Sequence, residues 1–257
     1  MSYALIWTVA FLASGLTFFS GFGLGTLLLP AFAVFFPVAV SVALTGIVHF
    51  LTGVFKLILV WRYIDRAVLL RFGVPAIVGA LLGSWLLINL TDIGTLVRYS
   101  AYGRDIEIPA INFTVGVLLL LFATAEVLPA FRKLTFPPQY LPLGGILSGF
   151  FGGLAGMQGA LRSAFLVKAG LGKEAYVATG SAIAFLIDTS RLSVYSTLFI
   201  AHHKDFDYLL LIGAILAAFA GATLGNRYLS KATMGGLQTV VAILLFGVAI
   251  GLLLGLI

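Results

Sequence analysis

Gln158 and Arg162 stand four residues apart in a short apolar stretch, a spacing that places both side chains on one face of a helix. A charge in apolar, membrane-like surroundings costs roughly 2.5 kcal/mol or more and usually marks a transport path or an ion pair. An arginine guanidinium stays charged and binds oxyanions through a fork of N–H groups. We therefore interpret Arg162 as a candidate anion ligand. The alternative is that it binds carbonyl groups of a neighbouring broken helix.

Asp188 and Arg191, three residues apart in a longer apolar stretch, are spaced to neutralise each other. A structural ion pair is the favoured interpretation, although Asp188 is also a candidate carrier of a coupling proton. His49 is a second candidate for proton coupling, because an imidazole exchanges protons near neutral pH. A lone histidine in an apolar segment is, however, more often a satisfied hydrogen-bonding group.

A polar stripe is predicted along one helix, where spacings of four, three and four residues separate Thr45, His49, Thr52 and Lys56. Such a stripe must face protein or water. The Thr45 hydroxyl can bond substrate oxygens there. Lys56 stands close enough to the end of its segment to reach the membrane interface, so a structural role is favoured.

Several kinds of chemistry are excluded or disfavoured. The chain contains no cysteine, which excludes disulfides, thiolate catalysis and iron–sulfur clusters. It also lacks the His-Glu-x-x-His, Walker and Gly-x-Ser-x-Gly motifs, which argues against an intramembrane enzyme. The adjacent His202 and His203 are weak evidence for a metal. We therefore predict no catalytic residue, no metal site and no cofactor.

The elements that must position these residues are membrane helices. The 257 residues are 61% hydrophobic and 9% charged, whereas roughly 25% of the residues in an ordinary soluble domain are charged. This composition predicts an all-α, polytopic membrane protein. Ten apolar stretches follow one another, at 4–20, 24–36, 39–61, 67–90, 110–130, 141–155, 158–170, 175–200, 208–229 and 235–257. Two of them, 24–36 and 158–170, extend only about 20 Å against a hydrocarbon core of about 30 Å, so we predict eight long helices and two half-membrane helices.

The chain is predicted to consist of two weakly similar halves. A shift of 134 residues superposes Ser14-Gly15 on Ser148-Gly149, Gly25 on Gly159, and Thr45-Gly46 on Thr179-Gly180. We therefore predict a first membrane repeat over 1–131 and a second over 132–257. Each repeat has a short segment that follows a Gly-rich break.

Basic residues are distributed unequally between the two sides of the membrane that this order of segments predicts. One side collects Arg62, Arg66, Arg71, Arg132, Lys133, Lys168, Lys173, Arg227 and Lys231, and the other only Arg98, Arg104 and Lys204. The positive-inside rule then places the larger group in the cytoplasm and both termini outside, so the halves are inverted repeats in the cell (inner) membrane. The net charge of +6 thus reflects membrane orientation, and no nucleic-acid partner is expected.

Two Gly-rich breaks, at 21–25 and 152–159, each separate a longer apolar stretch from a short one. Non-helical backbone at membrane depth must be satisfied by protein or water, so we interpret each break as the tip of a helical hairpin. In inverted halves the tips meet near the midplane, where the helix N-termini, each with about +0.5 charge, face one anion site. Close helix packing is the favoured interpretation of four other glycines, Gly79, Gly83, Gly221 and Gly225.

The two breaks and the residues around them resemble the duplicated signature of the TauE/SafE sulfite exporter family. The copies are Gly21-Phe22-Gly23-Leu24-Gly25 with Pro30, and Gly153 to Arg162; Ala43-Leu44-Thr45-Gly46 and Ala178-Thr179-Gly180 follow them. The family's usual pattern in each half is Gly-x-Gly-Gly-Gly followed by Pro. Here Leu24 replaces one glycine of the first copy, while two glycines and the proline of the second are replaced by Met157, Gln158 and Ala164. The resemblance covers essentially the whole chain and implies export of sulfite or a related small sulfur-containing or organic anion without ATP.

The sequence therefore predicts a secondary transporter of a small anion in the lipid bilayer, with proton coupling as one option. A passive anion channel is the main alternative, and a membrane-embedded enzyme or assembly factor is a third. The residues expected to contact the substrate are Gly23, Leu24, Gly25, Thr26, Thr45, Met157, Gln158, Gly159, Arg162 and Thr179. The residues expected to take part in coupling are His49 and Asp188.

Overall fold

The structure is a computed structural model that describes residues 2–20, 24–101, 103–128, 131, 134–201, 207–228 and 234–257. Helices dominate these ranges. They are α1 (Ser2–Ser20), α2 (Leu24–Ala33), α3 (Val38–Val60), α4 (Arg66–Asp92), α5 (Ala110–Val127), α6 (Leu141–Ala155), α7 (Gly159–Leu166), α8 (Lys173–Ala201), α9 (Tyr208–Tyr228) and α10 (Met234–Leu253). Within α4, Leu69–Gly73 is π-helical.

Three of the described helical segments are long and apolar enough to cross a membrane, namely Val38–Tyr63, Arg66–Asp92 and Lys173–Ile200. The two segments predicted to be short are short, since α2 has 10 residues and α7 has 8. Prolines precede several helices, because a fixed φ and a missing N–H are well tolerated at a helix start. Pro37 precedes α3 and Pro109 precedes α5.

A β-hairpin departs from the all-α prediction. Strands β1 (Thr95–Ala101) and β2 (Arg104–Pro109) pair antiparallel, with Arg98 opposite Glu107. The Arg98 Nη2 and Glu107 Oε1 atoms are 2.6 Å apart, and both side chains are at least half exposed. Because the hairpin is short and mostly exposed, it lacks the long apolar alternation that indicates a strand in the sequence. Gly103, with φ of +72°, supplies the left-handed residue of its turn.

Each of the longest helix contacts joins a helix of residues 1–131 to one of residues 132–257. Helix α1 packs along α9, α4 along α6, α3 along α8, and α5 along α10. The α4–α6 contact is a seam of glycines. Ideal Cβ atoms at Gly145, Gly149 and Gly153 would lie only 2.2, 2.0 and 2.3 Å from the carbonyl oxygens of Phe72, Ala76 and Ala80, respectively. The glycine numbers in α6 and the numbers of the residues they approach in α4 rise together in steps of four. The two helices therefore run parallel.

The close-packing interpretation of the other glycines is confirmed where the structure describes them. Ideal Cβ atoms at Gly79 and Gly83 would lie 2.2 and 2.0 Å from the carbonyl oxygens of Ile146 and Phe150, on the same seam. Gly221 of α9 approaches α1 in the same way, with its ideal Cβ 2.0 Å from the carbonyl oxygen of Phe11. Any side chain at these positions would collide with backbone, which cannot move aside as a side chain can.

The directions of the helices define two faces. Because α4 and α6 run parallel, the segments that precede them lie on one face. The backbone N–H of Asp65 donates to Thr179 Oγ1 at 2.9 Å, so the start of α8 lies there too. We call this the basic face, since it exposes Arg62, Arg66, Arg71, Lys168 and Lys173. Arg132, Lys133 and Lys231 of the larger basic group lie outside the described residues.

The opposite face carries the β-hairpin and the outer ends of α1 and α10, and we call it the hairpin face. The Tyr3 hydroxyl donates to the carboxylate of Asp207, which directly precedes α9. This bond and the Leu210 N–H hold the pKa of Asp207 below its ordinary value. The Tyr99 hydroxyl donates to the carbonyl oxygen of Leu254 at 2.7 Å. The ends of the first and last helices therefore share a face.

Candidate functional site

The two Gly-rich breaks touch inside the protein. An ideal Cβ at Gly25, near the start of α2, would lie 2.8 Å from the carbonyl oxygen of Gly156, just after α6. Leu24 and Gly25 are buried and Thr26 is partly buried, whereas Gly23 lies outside the described residues. The start of α2 thus reaches the end of α6, and we call this point the crossing.

The second break has a defined cause. Gly156 adopts a left-handed conformation with φ of +73°, which ends α6. Its N–H donates to the Gly152 carbonyl at 3.0 Å, and the Met157 N–H donates to the Phe151 carbonyl at 3.2 Å. A left-handed glycine whose N–H bonds back into the last turn is a common cap of a helix C-terminus. It ends α6 at the crossing, with the carbonyls of Phe151 and Gly152 hydrogen-bonded.

Gln158 links the second tip to the ionisable residues. Its side chain is buried, its carbonyl Oε1 accepts from Arg162 Nη1 at 2.9 Å, and its Nε2 donates to Asp188 Oδ1 at 2.9 Å. Ser148 Oγ donates to the Gln158 backbone carbonyl at 3.0 Å and fixes the turn. The neighbouring Met157 and Gly159 are also buried. The contact between Gln158 and Arg162 is the one that their spacing predicts.

Asp188 is the centre of this network. Its carboxylate is fully buried, with His49 Nδ1 2.6 Å from Oδ2 and Arg191 Nη2 2.8 Å from Oδ1. The predicted ion pair between Asp188 and Arg191 is therefore confirmed. Together with Gln158, three groups surround this desolvated carboxylate. A buried charge requires such pairing and hydrogen bonding. The coupling roles of Asp188 and His49 stay predictions, although the two side chains are in contact.

Two residues of α8 bind carbonyl groups at the end of α6. The sequence analysis gave this role to Arg162 as an alternative to anion binding. Arg191 Nη1 donates to the Gly152 carbonyl at 3.2 Å, and the buried Tyr195 hydroxyl donates to the Gly153 carbonyl. Arg162 is instead bonded to Gln158. Sequence reasoning missed Tyr195, even though 188, 191 and 195 share one face of α8 by their spacing.

The two threonines that the predicted repeat superposes make different contacts. Thr45 lies beside the crossing, with its Cγ2 atom 3.7 Å from an ideal Cβ at Gly25. Thr179 lies towards the basic face, where its hydroxyl accepts the N–H of Asp65. The structure thus brings Thr45, but not the Thr179 hydroxyl, to the hairpin tips. A substrate contact by Thr179 stays a prediction.

The network is suited to binding an anion. Two buried guanidinium groups, Arg162 and Arg191, face one carboxylate, Asp188, which leaves a surplus of positive charge when His49 is neutral. The N-terminal ends of α2 and α7 add N–H groups of the same electrostatic sign. In the part of the chain that the structure describes, no three His, Asp or Glu side chains are grouped to hold a metal.

Helical hairpins whose tips meet at buried charges are a feature of membrane transporters. The comparison with protein families gives the particular group, since residues 6–252 match the family described as sulfite exporter TauE/SafE. The chain belongs to this family, and the resemblance predicted from the two Gly-rich breaks is confirmed. Membership makes the protein a membrane transporter, and it implies sulfite-type anions as the class of substrate. No curated protein and no solved structure matches the chain.

Proposed function

We propose that the protein is a secondary transporter that exports a small anion, such as sulfite, a sulfonate or another small organic anion, across the inner cell membrane. The observation that carries this proposal is the crossing, where α2 meets the end of α6 beside the buried Arg162, Gln158 and Asp188 side chains. Secondary transporters place substrate sites at such breaks, because free N–H groups and fixed charges converge there.

The proposal includes two inverted repeats, 1–131 and 132–257. The helix packing supports it, because the first helix of each repeat packs along the fourth helix of the other: α1 along α9, and α6 along α4. The third helices pack together, and so do the fifth. The first helical hairpin, α1 with α2, starts on the hairpin face, which is named for the β-hairpin. The second helical hairpin, α6 with α7, starts on the basic face. Inverted repeats require such opposite orientations.

Proton coupling through Asp188 and His49 is part of the proposal. Protonation of Asp188 would remove the carboxylate charge that His49, Gln158 and Arg191 surround. The same event would leave the Arg191 charge without its counter-charge and raise the affinity of the cluster for an anion. Proton binding and anion binding at the cluster would then be linked.

Flux measurements in proteoliposomes test the function. We expect saturable uptake of sulfite, methanesulfonate or acetate that responds to an imposed proton gradient, and no uptake of an amine or a metal cation. A current that does not saturate and ignores the gradient would indicate a channel. Failure to move any of these anions would contradict the proposal.

Orientation is tested by cysteine labelling, for which the cysteine-free chain is a clean background. Lys173→Cys is exposed on the basic face and Asp105→Cys is exposed on the hairpin face. The positive-inside rule places the basic face in the cytoplasm. We therefore expect an impermeant thiol reagent to label Asp105→Cys in intact cells, and Lys173→Cys only after the cells are permeabilised. The reverse pattern would contradict the predicted orientation.

Arg162 is expected to contribute to substrate affinity. Arg162→Gln removes the charge and should weaken anion binding by roughly 1.5 to 3 kcal/mol, the range for a hydrogen bond to a charged group. Arg162→Lys keeps the charge but loses the fork, so its affinity should be intermediate. Binding and thermal stability are measured in detergent.

Arg62→Gln is the matched control, because Arg62 is exposed on the basic face, where its guanidinium lies 5.7 Å from the centre of the Trp61 ring. Its substitution should leave anion affinity unchanged. Wild-type affinity in a well-folded Arg162→Gln protein would remove Arg162 from the site.

A further inference from the structure

Two residues beside the crossing have buried polar atoms that are not hydrogen-bonded. Thr45 is 1% exposed and Arg191 is fully buried. Among the described atoms of these two residues, Thr45 Oγ1 and Arg191 Nε have no partner, and Arg191 Nη2 has the ion pair with Asp188 Oδ1 but no aligned hydrogen bond. Buried polar groups are nearly always paired, so each such group calls for an explanation, and a bound ligand is one.

Contacts of three glycines place both residues at the crossing. An ideal Cβ at Gly46 would lie 3.5 Å from Arg191 Cζ and 3.7 Å from its Nε, and one at Gly156 would lie 3.1 Å from Arg191 Nη1. Gly156 in turn contacts Gly25, which lies beside Thr45. The Arg191 guanidinium and the Thr45 side chain therefore flank the crossing from two helices, α8 and α3.

The unpaired atoms of Arg191 form the edge of the guanidinium that binds oxyanions. Its Nη1 is bonded to the Gly152 carbonyl, whereas Nε–H and Nη2–H point the same way and form a fork. Nη2 lies 2.8 Å from Asp188 Oδ1 but makes no aligned hydrogen bond, so this contact supplies charge without using the fork. Two oxygens of one oxyanion match such a fork.

We infer that the Arg191 fork and the Thr45 hydroxyl bind the substrate oxyanion directly at the crossing, in addition to Arg162 and Gln158. This inference rests on the proposed function and gives Arg191 a role beyond neutralising Asp188. The start of α2, at Leu24 and Gly25, also lies at the crossing, and a helix N-terminus favours a bound anion. The site is asymmetric, because the Thr179 hydroxyl is already bonded to Asp65.

Thr45→Val is the test, because it removes only the hydroxyl and keeps the shape. The probe is whichever of sulfite, methanesulfonate and acetate the wild-type protein transports. We expect the Kd, measured by calorimetry in detergent, to rise by about tenfold or more. Thermal stability should be unchanged or higher, because the lost hydroxyl has no partner in the protein.

Two controls separate binding from packing. Thr45→Ser restores a hydroxyl and should keep the Kd within about threefold of the wild-type value. Thr52→Val changes a threonine of the same helix whose hydroxyl donates to the Val48 carbonyl at 2.7 Å, and it should leave the Kd unchanged. Wild-type affinity in Thr45→Val, or an equal loss in Thr52→Val, would overturn the inference while anion transport by the wild-type protein still stands. A wild-type protein that moves none of the three anions would instead refute the proposed function, and the inference with it.

Discussion

Asp188→Asn is expected to lower the free energy of unfolding by about 3 to 5 kcal/mol, the cost of leaving one partner of a buried ion pair uncompensated. Asp188 and Arg191 are both fully buried, and their charged atoms are 2.8 Å apart. Asparagine can still bond His49 and Gln158, so the loss comes from the missing charge. Unfolding of the purified protein in mixed detergent micelles, with denaturing detergent as the variable, measures this quantity.

Two variants control for the origin of the loss. The double variant Asp188→Asn with Arg191→Gln removes both charges and should recover part of the stability. Arg98→Gln breaks the exposed pair with Glu107, and its effect should stay within about 1 kcal/mol. If Asp188→Asn were as stable as the wild type, another group would have to neutralise Arg191.

Gly149→Val is expected to abolish folding. An ideal Cβ at Gly149 would lie 2.0 Å from the Ala76 carbonyl oxygen, and the seam holds four further glycines in similar contacts. Overpacking of a core usually costs about 1 to 3 kcal/mol through side-chain shifts. Here two helix backbones must separate, so the destabilisation should exceed that range. The measurement is the folded, monodisperse fraction in size-exclusion chromatography after extraction.

Gly53→Ala is the matched control for this substitution. Gly53 is also buried within a long helix, but an ideal Cβ there meets no atom within 4 Å. Alanine favours the helix over glycine by about 1 kcal/mol, so the variant should be as stable as the wild type or more stable. A well-folded Gly149→Val protein would show that the α4–α6 seam is not needed for the fold.

Contacts within one helix could be predicted from the sequence, because helical spacing alone decides which residues are neighbours. The bond between Gln158 and Arg162 and the ion pair between Asp188 and Arg191 are of this kind. The short helices were predictable for a similar reason, since a Gly-rich break limits each apolar stretch. Family membership followed from the same breaks.

Contacts between distant helices were not predictable in the same way. His49 and Asp188 are 139 residues apart, and their contact depends on how α3 and α8 turn towards each other. The predicted repeat superposes Thr45 on Thr179. The Thr179 hydroxyl, however, accepts the N–H of Asp65, and Asp65 lies outside the repeated motif. The β-hairpin was missed because apolar stretches identify membrane segments and indicate nothing about short exposed strands.

The glycine seam also limits which helices can move relative to each other. Backbone atoms of α4 and α6 interlock over three turns, so neither helix can slide along the other without a collision, and we expect the pair to move as one rigid body. The contact of Gly221 with Phe11 joins α9 to α1 in the same manner. Each rigid body therefore combines a helix from residues 1–131 with one from residues 132–257, and each carries one hairpin with it. Motion that opened the crossing would part these two composite bodies and leave every individual pair intact.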